Sequence, residues 1–292
     1  MDEATVLLSG PERDRMAILE RIFDRITPYF LSQLISNWTK TPYKIPPDLD
    51  GRRKLDTTLQ TIGSLSRTKV QALRKLEKFF TFNCFWNPFL IADELDYKHD
   101  KLPKRFKTER YFPNPRISVN GFIYSLEIDP GIFLIVVDFS SRSSLLRTFC
   151  RFVLFTKLKL FLVESNPLSR EILISLIQPA LGLNLQNPPI NSITIRAISQ
   201  NWSRILGLTF LVTAETAGVE GLETVSIAGK DVLPGSDELK THRKMDNSIL
   251  SLGPWVGIKT DSFSLNIYEG LKINRFVHDD FQQLKGIFEE ED

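Results

Sequence analysis

The 292-residue sequence predicts an α+β protein: an N-terminal helical bundle followed by an α+β domain with a largely antiparallel sheet. Before residue 80, apolar residues recur every three or four positions, as on one face of a helix. From residue 117 onward, apolar and polar residues alternate, which is typical of half-buried strands. We therefore expect a helical domain at 1–80, a basic linker region at 81–116 and an α+β domain at 117–292.

Four helices are expected in the first region. Pro11 and Glu12 are suited to open the first helix, because proline fits the first turn and an acid favours the positive helix end. Thr27 and Pro28 open the second. A third is expected at 54–62 and a fourth at 68–80, with Ser66 as N-cap of the fourth. The apolar faces of the first two helices are Met16, Leu19, Ile22, Phe23 and Ile26, then Phe30, Leu31, Leu34, Ile35 and Trp38.

The linker region begins with a cluster of aromatic residues between Phe82 and Phe89. A short helix is expected at 91–97. Residues 98–116 then form a strongly basic segment that contains prolines, which predicts an irregular, positively charged connection.

The C-terminal region is expected to mix strands and helices. Asp129-Pro130-Gly131 predicts a turn between two strands, because proline and glycine favour such turns. A stiff turn is also expected at 253–257 around Trp255. Strands are expected at 122–128, 132–139, 158–163, 193–198, 206–213, from 225, and at 262–267. Helices are expected at 140–155, 166–181, 236–245 and 279–292.

The sequence contains no recognisable catalytic or cofactor-binding motif. Its three histidines have no second ligand at metal spacing, and neither a dinucleotide-binding nor a phosphate-binding glycine loop occurs. Cys84 and Cys150 lie far apart in apolar surroundings and are expected to be buried reduced thiols. These observations predict a protein that is not an enzyme and has no cofactor or metal. An enzyme whose catalytic residues are dispersed along the chain stays open.

No membrane or secretion signal is evident. The first apolar run, residues 4–8, is short and follows acidic residues. No stretch reaches the roughly 18–20 uncharged apolar residues that a spanning helix needs. We therefore expect a soluble intracellular protein with no membrane partner.

Charge is distributed unevenly along the chain. Residues 1–116 hold 21 Lys and Arg against 15 Asp and Glu, and residues 117–292 hold 16 against 20. A basic N-terminal part suggests a polyanionic partner such as DNA, although the same residues are also compatible with ordinary solvated faces. The candidate DNA-binding residues are Arg21, Arg25, Arg52, Arg53, Lys54, Arg74, Lys75, Lys104, Arg105 and Lys107.

Three stretches resemble a known family. In residues 225–267, eleven residues follow the order of the C-terminal signature of the CENP-N family of inner-kinetochore proteins, especially its fungal members. They are Gly229, Asp231, Val232, Gly235, Glu238, Leu239, Pro254, Trp255, Gly257, Ser262 and Phe263. Residues 26–38 are similar to the family's early helix ending in tryptophan, and residues 79–96 resemble its following aromatic segment. The fungal Pro-Gly-Trp is here Gly253-Pro254-Trp255, and 117–215 matches only in the order of its elements.

The resemblance implies a nuclear protein of the centromere and kinetochore. It implies an N-terminal death-fold (pyrin-like) helical domain that binds the CENP-A nucleosome and its DNA. It also implies a C-terminal domain that pairs with a CENP-L-like protein. Arg21 and Arg25 fall where the family places basic residues on its DNA-facing helix. The family's acidic contacts to the histone have no secure match here.

A different DNA-binding function stays open beside this interpretation. A general DNA-binding protein of replication or repair would bind naked DNA as well as nucleosomes. An enzyme with dispersed catalytic residues would instead have a deep pocket lined by titratable groups with shifted pKa values.

Overall fold

The fold is given by a computed structural model, which describes residues 11–82, 84–93, 97, 101–107, 120–140, 149–212, 224–232, 252–274 and 277–290. The contacts divide the chain into two compact units. The first unit comprises residues 1–82 and 102–156, and the second comprises residues 83–101 and 157–292. These boundaries differ from the predicted ones, because the strands between residues 105 and 155 pack with the N-terminal helices.

Among the described residues, four helices come first, and strands and helices then follow in a mixed order. The elements up to residue 155 are α1 (Glu12–Arg25), α2 (Pro28–Thr39), α3 (Gly51–Ile62), α4 (Arg67–Phe79), β1 (Phe85–Ile91), β2 (Arg105–Lys107), β3 (Asn120–Asp129), β4 (Ile132–Ser140) and β5 (Phe149–Phe155). They continue with β6 (Leu160–Glu164), α5 (Pro167–Ile172), a π-helix (Leu173–Ile177), α6 (Gln178–Leu181), β7 (Leu185–Gln186), α7 (Ser192–Asn201), β8 (Gly207–Val212), β9 (Thr224–Ala228), β10 (Leu252–Lys259), β11 (Phe263–Asn266), β12 (Gly270–Ile273) and α8 (His278–Glu290). The coarse prediction of an α+β fold with a largely antiparallel sheet is confirmed.

The four predicted N-terminal helices are present, and side-chain caps set the start of three of them. The Thr27 side chain accepts a hydrogen bond from the Phe30 amide at 3.3 Å. Ser66 caps α4 in the same way, as predicted. The helix α3 starts three residues before the predicted Lys54, because the Asp50 carboxylate accepts from the Arg53 amide at 2.8 Å.

The sheet of the first unit has the strand order β2-β3-β4-β5, and each neighbouring pair is antiparallel. The predicted turn joins β3 to β4, with Gly131 at a φ of 77°, where a side chain would be strained. The helix α2 is tied to this turn region. Thr27 donates its hydroxyl to the Ile128 carbonyl, and the Tyr29 hydroxyl donates to Glu127 at 3.1 Å.

One predicted helix of the first unit is a strand. Residues 149–155, expected to end a helix at 140–155, form β5 and pair with β4 along its length. Six of these seven residues are buried. A strand buried on both faces is continuously apolar and lacks alternation, so periodicity does not separate it from a buried helix. Residues 141–148 lie outside the described part of the chain.

The sheet of the second unit has the order β6-β1-β12-β11-β10-β8-β9, and β7 also pairs with β1. Its aromatic strand β1 ends at Ile91, the first residue of the helix expected at 91–97, and residues 94–96 lie outside the described part of the chain. That prediction is wrong at its start, because Ile91 ends β1 and pairs with Leu185 of β7. Trp86 of the same strand is fully buried.

Two further predictions in the second unit are corrected. The strand expected at 193–198 is α7, because Asn191 and Thr194 form a reciprocal capping box that starts a helix. The turn expected at 253–257 lies within β10. Register shifts on either side of Trp255 accommodate Pro254 in this strand, and the Trp255 ring packs 5.6 Å from that of Phe210. The helix expected at 236–245 lies outside the described residues.

The long helical stretch predicted at 166–181 is interrupted in the middle. Its residues 173–177 form a π-helix, and Pro179 follows in α6. Proline has no amide to donate to the residue four positions earlier, so the wider turn accommodates it. The stretch ends at Gly182 with a φ of 65°, as the sequence predicted.

A close helix crossing gives the first testable prediction. A Cβ atom on Gly51 would lie 2.4 Å from the Glu20 carbonyl oxygen of α1. We expect Gly51→Ala to lower the free energy of unfolding by about 1–3 kcal/mol, because the helix backbones must move apart. Urea unfolding of the purified chain measures the change.

The matched control for this substitution is Gly286→Ala in α8. A Cβ atom there meets no heavy atom within 4 Å. This variant is expected to gain about 0.5–1 kcal/mol, because alanine is the better helix former. Equal stability of the Gly51→Ala variant and the wild type would contradict the close crossing.

Candidate nucleic-acid interface

All ten predicted DNA-binding residues belong to the first unit. They come from four elements that the prediction had divided between a helical domain and a linker. Arg21 and Arg25 lie on α1, Arg52, Arg53 and Lys54 on α3, Arg74 and Lys75 on α4, Lys104 just before β2, and Arg105 and Lys107 on β2.

Arg21 and Arg25 are held by one buried carboxylate. The Arg21 Nε donates to Glu77 Oε1 at 3.0 Å, and the Arg25 Nη1 donates to the same oxygen at 2.7 Å. The Glu77 side chain is 9% exposed, whereas the two arginine side chains are 41% and 40% exposed. The contact therefore joins α1 to α4 and fixes two half-exposed guanidinium groups side by side.

Glu77 also changes the charge that these arginines present. The two guanidinium groups and the one carboxylate together carry a net charge of +1. Sequence reasoning missed Glu77, although it is the one acidic residue in the strongly basic helix α4. The signal that could have identified Glu77 is its position as an isolated acid on a basic helix.

Arg52 and Arg53 are paired with acids of their own helix region. Arg52 Nε lies 3.2 Å from Asp56 Oδ2, and Arg53 Nε lies 3.9 Å from Asp50 Oδ2. More than half of each arginine side chain is exposed. Exposed pairs of this kind contribute little stability and exchange readily, so both arginines stay accessible to a polyanion.

Lys54 does not belong to the candidate surface. The residue is buried, and its ammonium donates to the carbonyl oxygens of Phe23, Asp24 and Ile26 at 3.1–3.3 Å. These carbonyls end α1, where a cation also complements the helix dipole. The prediction of Lys54 as a phosphate contact is thus corrected, because its charge serves to hold α1 on α3.

Lys75 is fixed in an aromatic and acidic environment. Its ammonium donates to the Tyr124 hydroxyl at 2.5 Å and lies 4.3 Å from the centre of that ring. Asp138 Oδ2 is 3.5 Å away. About half of the Lys75 side chain is exposed. Arg74, its neighbour on α4, is half-buried.

Two basic residues at the start of β2 lie at the surface of the first unit. Lys104 and Arg105 are exposed. The Arg105 guanidinium carbon is 5.3 Å from the centre of the Phe122 ring, which lies directly opposite on β3. The backbone of Lys107 pairs with Asn120 at the end of β2.

A second buried cation, Arg151, was not predicted. Its guanidinium donates to the carbonyl oxygens of Phe79 and Thr81, at and just beyond the end of α4. It also lies 5.2 Å from the Phe149 ring centre. The sequence signal for this contact was a single arginine within an apolar stretch. A charge buried in such a stretch requires a polar partner that is also buried.

The two units differ in charge more than the two halves of the sequence do. The first unit contains 22 Lys and Arg against 14 Asp and Glu, a net charge of +8. The second contains 15 against 21, a net charge of −6. The corresponding sequence halves carry +6 and −4. The structural division therefore sharpens the separation of charge.

The described residues contain neither a metal-binding cluster nor a membrane-spanning helix. In that part of the chain, no group of three or more His, Cys, Asp or Glu is placed to hold a metal ion. None of the described helices combines the length and the apolar character required to span a membrane. Cys150 is buried as expected, whereas Cys84 is only partly buried, and neither forms a disulfide.

No protein-family model matches the sequence, and no curated protein sequence matches it. Neither comparison therefore bears on the resemblance to the CENP-N family.

The buried Lys54 predicts a pH dependence of stability. Burial lowers the pKa of Lys54 below its ordinary value of 10.5, although Asp24 and Asp50 oppose the shift. The unfolded chain then binds more protons at this position than the folded chain between the two pKa values. The contribution of Lys54 to the free energy of unfolding therefore rises as pH increases towards 10.5.

Lys54→Met isolates this contribution from that of other titrating groups. We expect the difference in unfolding free energy between wild type and variant to change with pH in favour of the wild type. Chemical unfolding at several alkaline pH values measures it. A difference that stays constant with pH would mean that Lys54 keeps an ordinary pKa in the folded protein.

Proposed function

We propose that this protein is a non-enzymatic inner-kinetochore component of the CENP-N type, located in the nucleus at the centromere. Its first unit binds the DNA of CENP-A nucleosomes, and its second unit pairs with a CENP-L-like protein. The observation that carries the proposal is the separation of charge by unit, +8 in the first and −6 in the second. A basic unit suits a polyanion, and an acidic unit is repelled by it.

The helices of the first unit support the family's N-terminal architecture. We propose that α1 to α4 correspond to the death-fold, pyrin-like bundle of that family. Their apolar faces pack together around fully buried side chains, among them Ile22, Phe23, Leu31 and Leu55. The strands β2 to β5 complete the same unit, so the proposed bundle is stabilised by a sheet that follows it in sequence.

Arg21 and Arg25 are proposed as the central DNA contacts. They lie where the family resemblance places DNA-facing basic residues, and Glu77 holds their guanidinium groups in a fixed arrangement. Fixed guanidinium groups lose less conformational entropy on binding phosphate than free ones do. Arg52, Arg53, Arg74, Lys104 and Arg105 extend the basic character of the unit.

The second unit is proposed to bind protein and not DNA. Besides the negative charge of the unit, its described residues include three exposed large apolar side chains, Ile174, Ile193 and Tyr268, which are exposed by 58%, 67% and 68%. Apolar residues at the surface favour a protein partner when they belong to one patch. These residues are proposed as the first positions to test for the CENP-L-like partner.

Binding measurements distinguish the kinetochore function from general DNA binding. The purified chain is titrated with CENP-A nucleosomes, ordinary nucleosomes and the same DNA free in solution, at two salt concentrations. We expect tighter binding to the CENP-A particle than to either alternative. Equal, salt-sensitive binding to all three would instead identify a general DNA-binding protein, and binding to none would refute the proposed role of the basic unit.

The arginine pair gives a sharper prediction, in which Glu77 must be changed together with the arginines. Replacing both by glutamate would place three carboxylates together, and replacing them alone by glutamine would leave a buried unpaired charge that costs about 3–5 kcal/mol. The variant Arg21→Gln/Arg25→Gln/Glu77→Gln avoids both problems. We expect it to weaken DNA binding and to reduce the slope of log Kd against log salt by roughly 1–2.

The control for this variant is Arg170→Gln, which removes an exposed arginine of the second unit. It is expected to leave DNA affinity and salt dependence unchanged. Thermal melting confirms that both variants are folded. A folded triple variant with the wild-type salt slope would exclude Arg21 and Arg25 from the DNA interface.

A further inference from the structure

Cations and aromatic rings alternate across part of the first unit. The Arg105 guanidinium carbon is 5.3 Å from the Phe122 ring centre. The Phe122 and Tyr124 ring centres are 6.5 Å apart, and the Lys75 ammonium is 4.3 Å from the Tyr124 ring. These four residues are called here the cation–aromatic strip.

The register of the sheet places these side chains together. Phe122 and Tyr124 are two residues apart on β3 and so point to the same face. Arg105 lies opposite Phe122 on β2, and Asp138 lies opposite it on β4. Lys75 reaches the strip from α4. A strand pair and a helix therefore converge on one surface.

The strip is held rigidly on its inner side. The buried ring of Phe79 lies 5.5 Å from that of Tyr124 and 5.8 Å from that of Phe149. The Lys75 ammonium is fixed by the Tyr124 hydroxyl and by Asp138. The side chains of the strip are thus positioned before any ligand arrives.

The outer end of the strip is open to solvent. Phe122 is 37% exposed, and it is the exposed large apolar residue among the described residues of the first unit. Its neighbours Lys104 and Arg105 are also exposed. Surfaces that bind single-stranded nucleic acid combine an exposed aromatic ring, on which a base stacks, with cations that bind the phosphates. Phe122, Lys104 and Arg105 provide this combination.

We propose that the cation–aromatic strip binds single-stranded nucleic acid. An unpaired base stacks against Phe122 and Arg105, and the neighbouring phosphates contact Lys104, Arg105 and Lys75. Three cations against the one carboxylate of Asp138 complement the charge of the backbone. Duplex DNA keeps its base faces stacked inside the helix, so this ligand differs from that of the arginine pair. The inference does not depend on a role at the kinetochore.

The test uses the full chain and a short oligodeoxythymidine carrying one fluorescent 2-aminopurine. Stacking on a protein ring changes the fluorescence of this base, and substitutions at position 122 show whether the ring of Phe122 causes the change. We expect Phe122→Leu to raise the Kd about tenfold and to abolish the fluorescence change, because the base loses its stacking partner. Phe122→Tyr, which keeps a ring, is expected to retain both.

Salt dependence separates the two kinds of contact within the strip. Phe122→Leu is expected to leave the slope of log Kd against log salt unchanged, since no phosphate contact is lost. Arg105→Gln is expected to reduce that slope by about 0.7, the value for one phosphate of a single strand. The triple variant at the arginine pair is expected to bind the oligonucleotide as the wild type does.

Three results would overturn the proposal. One is failure of the wild type to bind the oligonucleotide at low salt. Another is equal affinity and fluorescence for folded Phe122→Leu. The third is displacement of the oligonucleotide by polyglutamate together with insensitivity to the ring at position 122, which would identify the strip as a site for acidic peptides. If the triple variant loses duplex binding and keeps single-strand binding, the arginine pair and the cation–aromatic strip are separate sites.

Discussion

Buried charges connect the secondary-structure elements of the first unit. Lys54 of α3 binds the carbonyls that end α1, and Arg151 of β5 binds those that end α4. Glu77 of α4 then holds Arg21 and Arg25 of α1. Because a buried charge without a partner is costly, each of these contacts requires the elements to meet in one arrangement. The arrangement of the elements in the first unit is thus determined by polar contacts as well as by its apolar core.

The same contacts shape the surface that carries the proposed function. Glu77 reduces the charge of the arginine pair and fixes its direction, and Asp138 does the same for Lys75. Arg52 and Arg53 share their charge with acids of their own helix. The basic surface therefore presents less charge than the residue count suggests. The same contacts hold its charged groups in fixed positions.

The helix α4 links the two proposed binding surfaces of the first unit. Its Glu77 orients the arginine pair, and its Lys75 belongs to the cation–aromatic strip. The arginine pair is proposed to contact the backbone of duplex DNA through its fixed guanidinium groups. The strip adds rings that an unpaired base can stack on. A single helix thus carries residues of both proposed surfaces.

The sequence by itself determined the α+β class, the first four helices, the β3–β4 turn and the basic character of the N-terminal part. These features depend on local periodicity, caps and charge, which are readable in one dimension. Tertiary structure decided that β5 is a strand, since pairing with β4 outweighed the apolar pattern. The helix α7 was missed for a different reason, because its start is a local capping box of Asn191 and Thr194 that the sequence already contains. Tertiary structure also decided which charges are surface and which are structural. Lys54 and Arg52 carry equal charge and are two residues apart in the sequence. The carboxyl end of α1 lies over Lys54 and buries it, whereas Arg52 stays exposed.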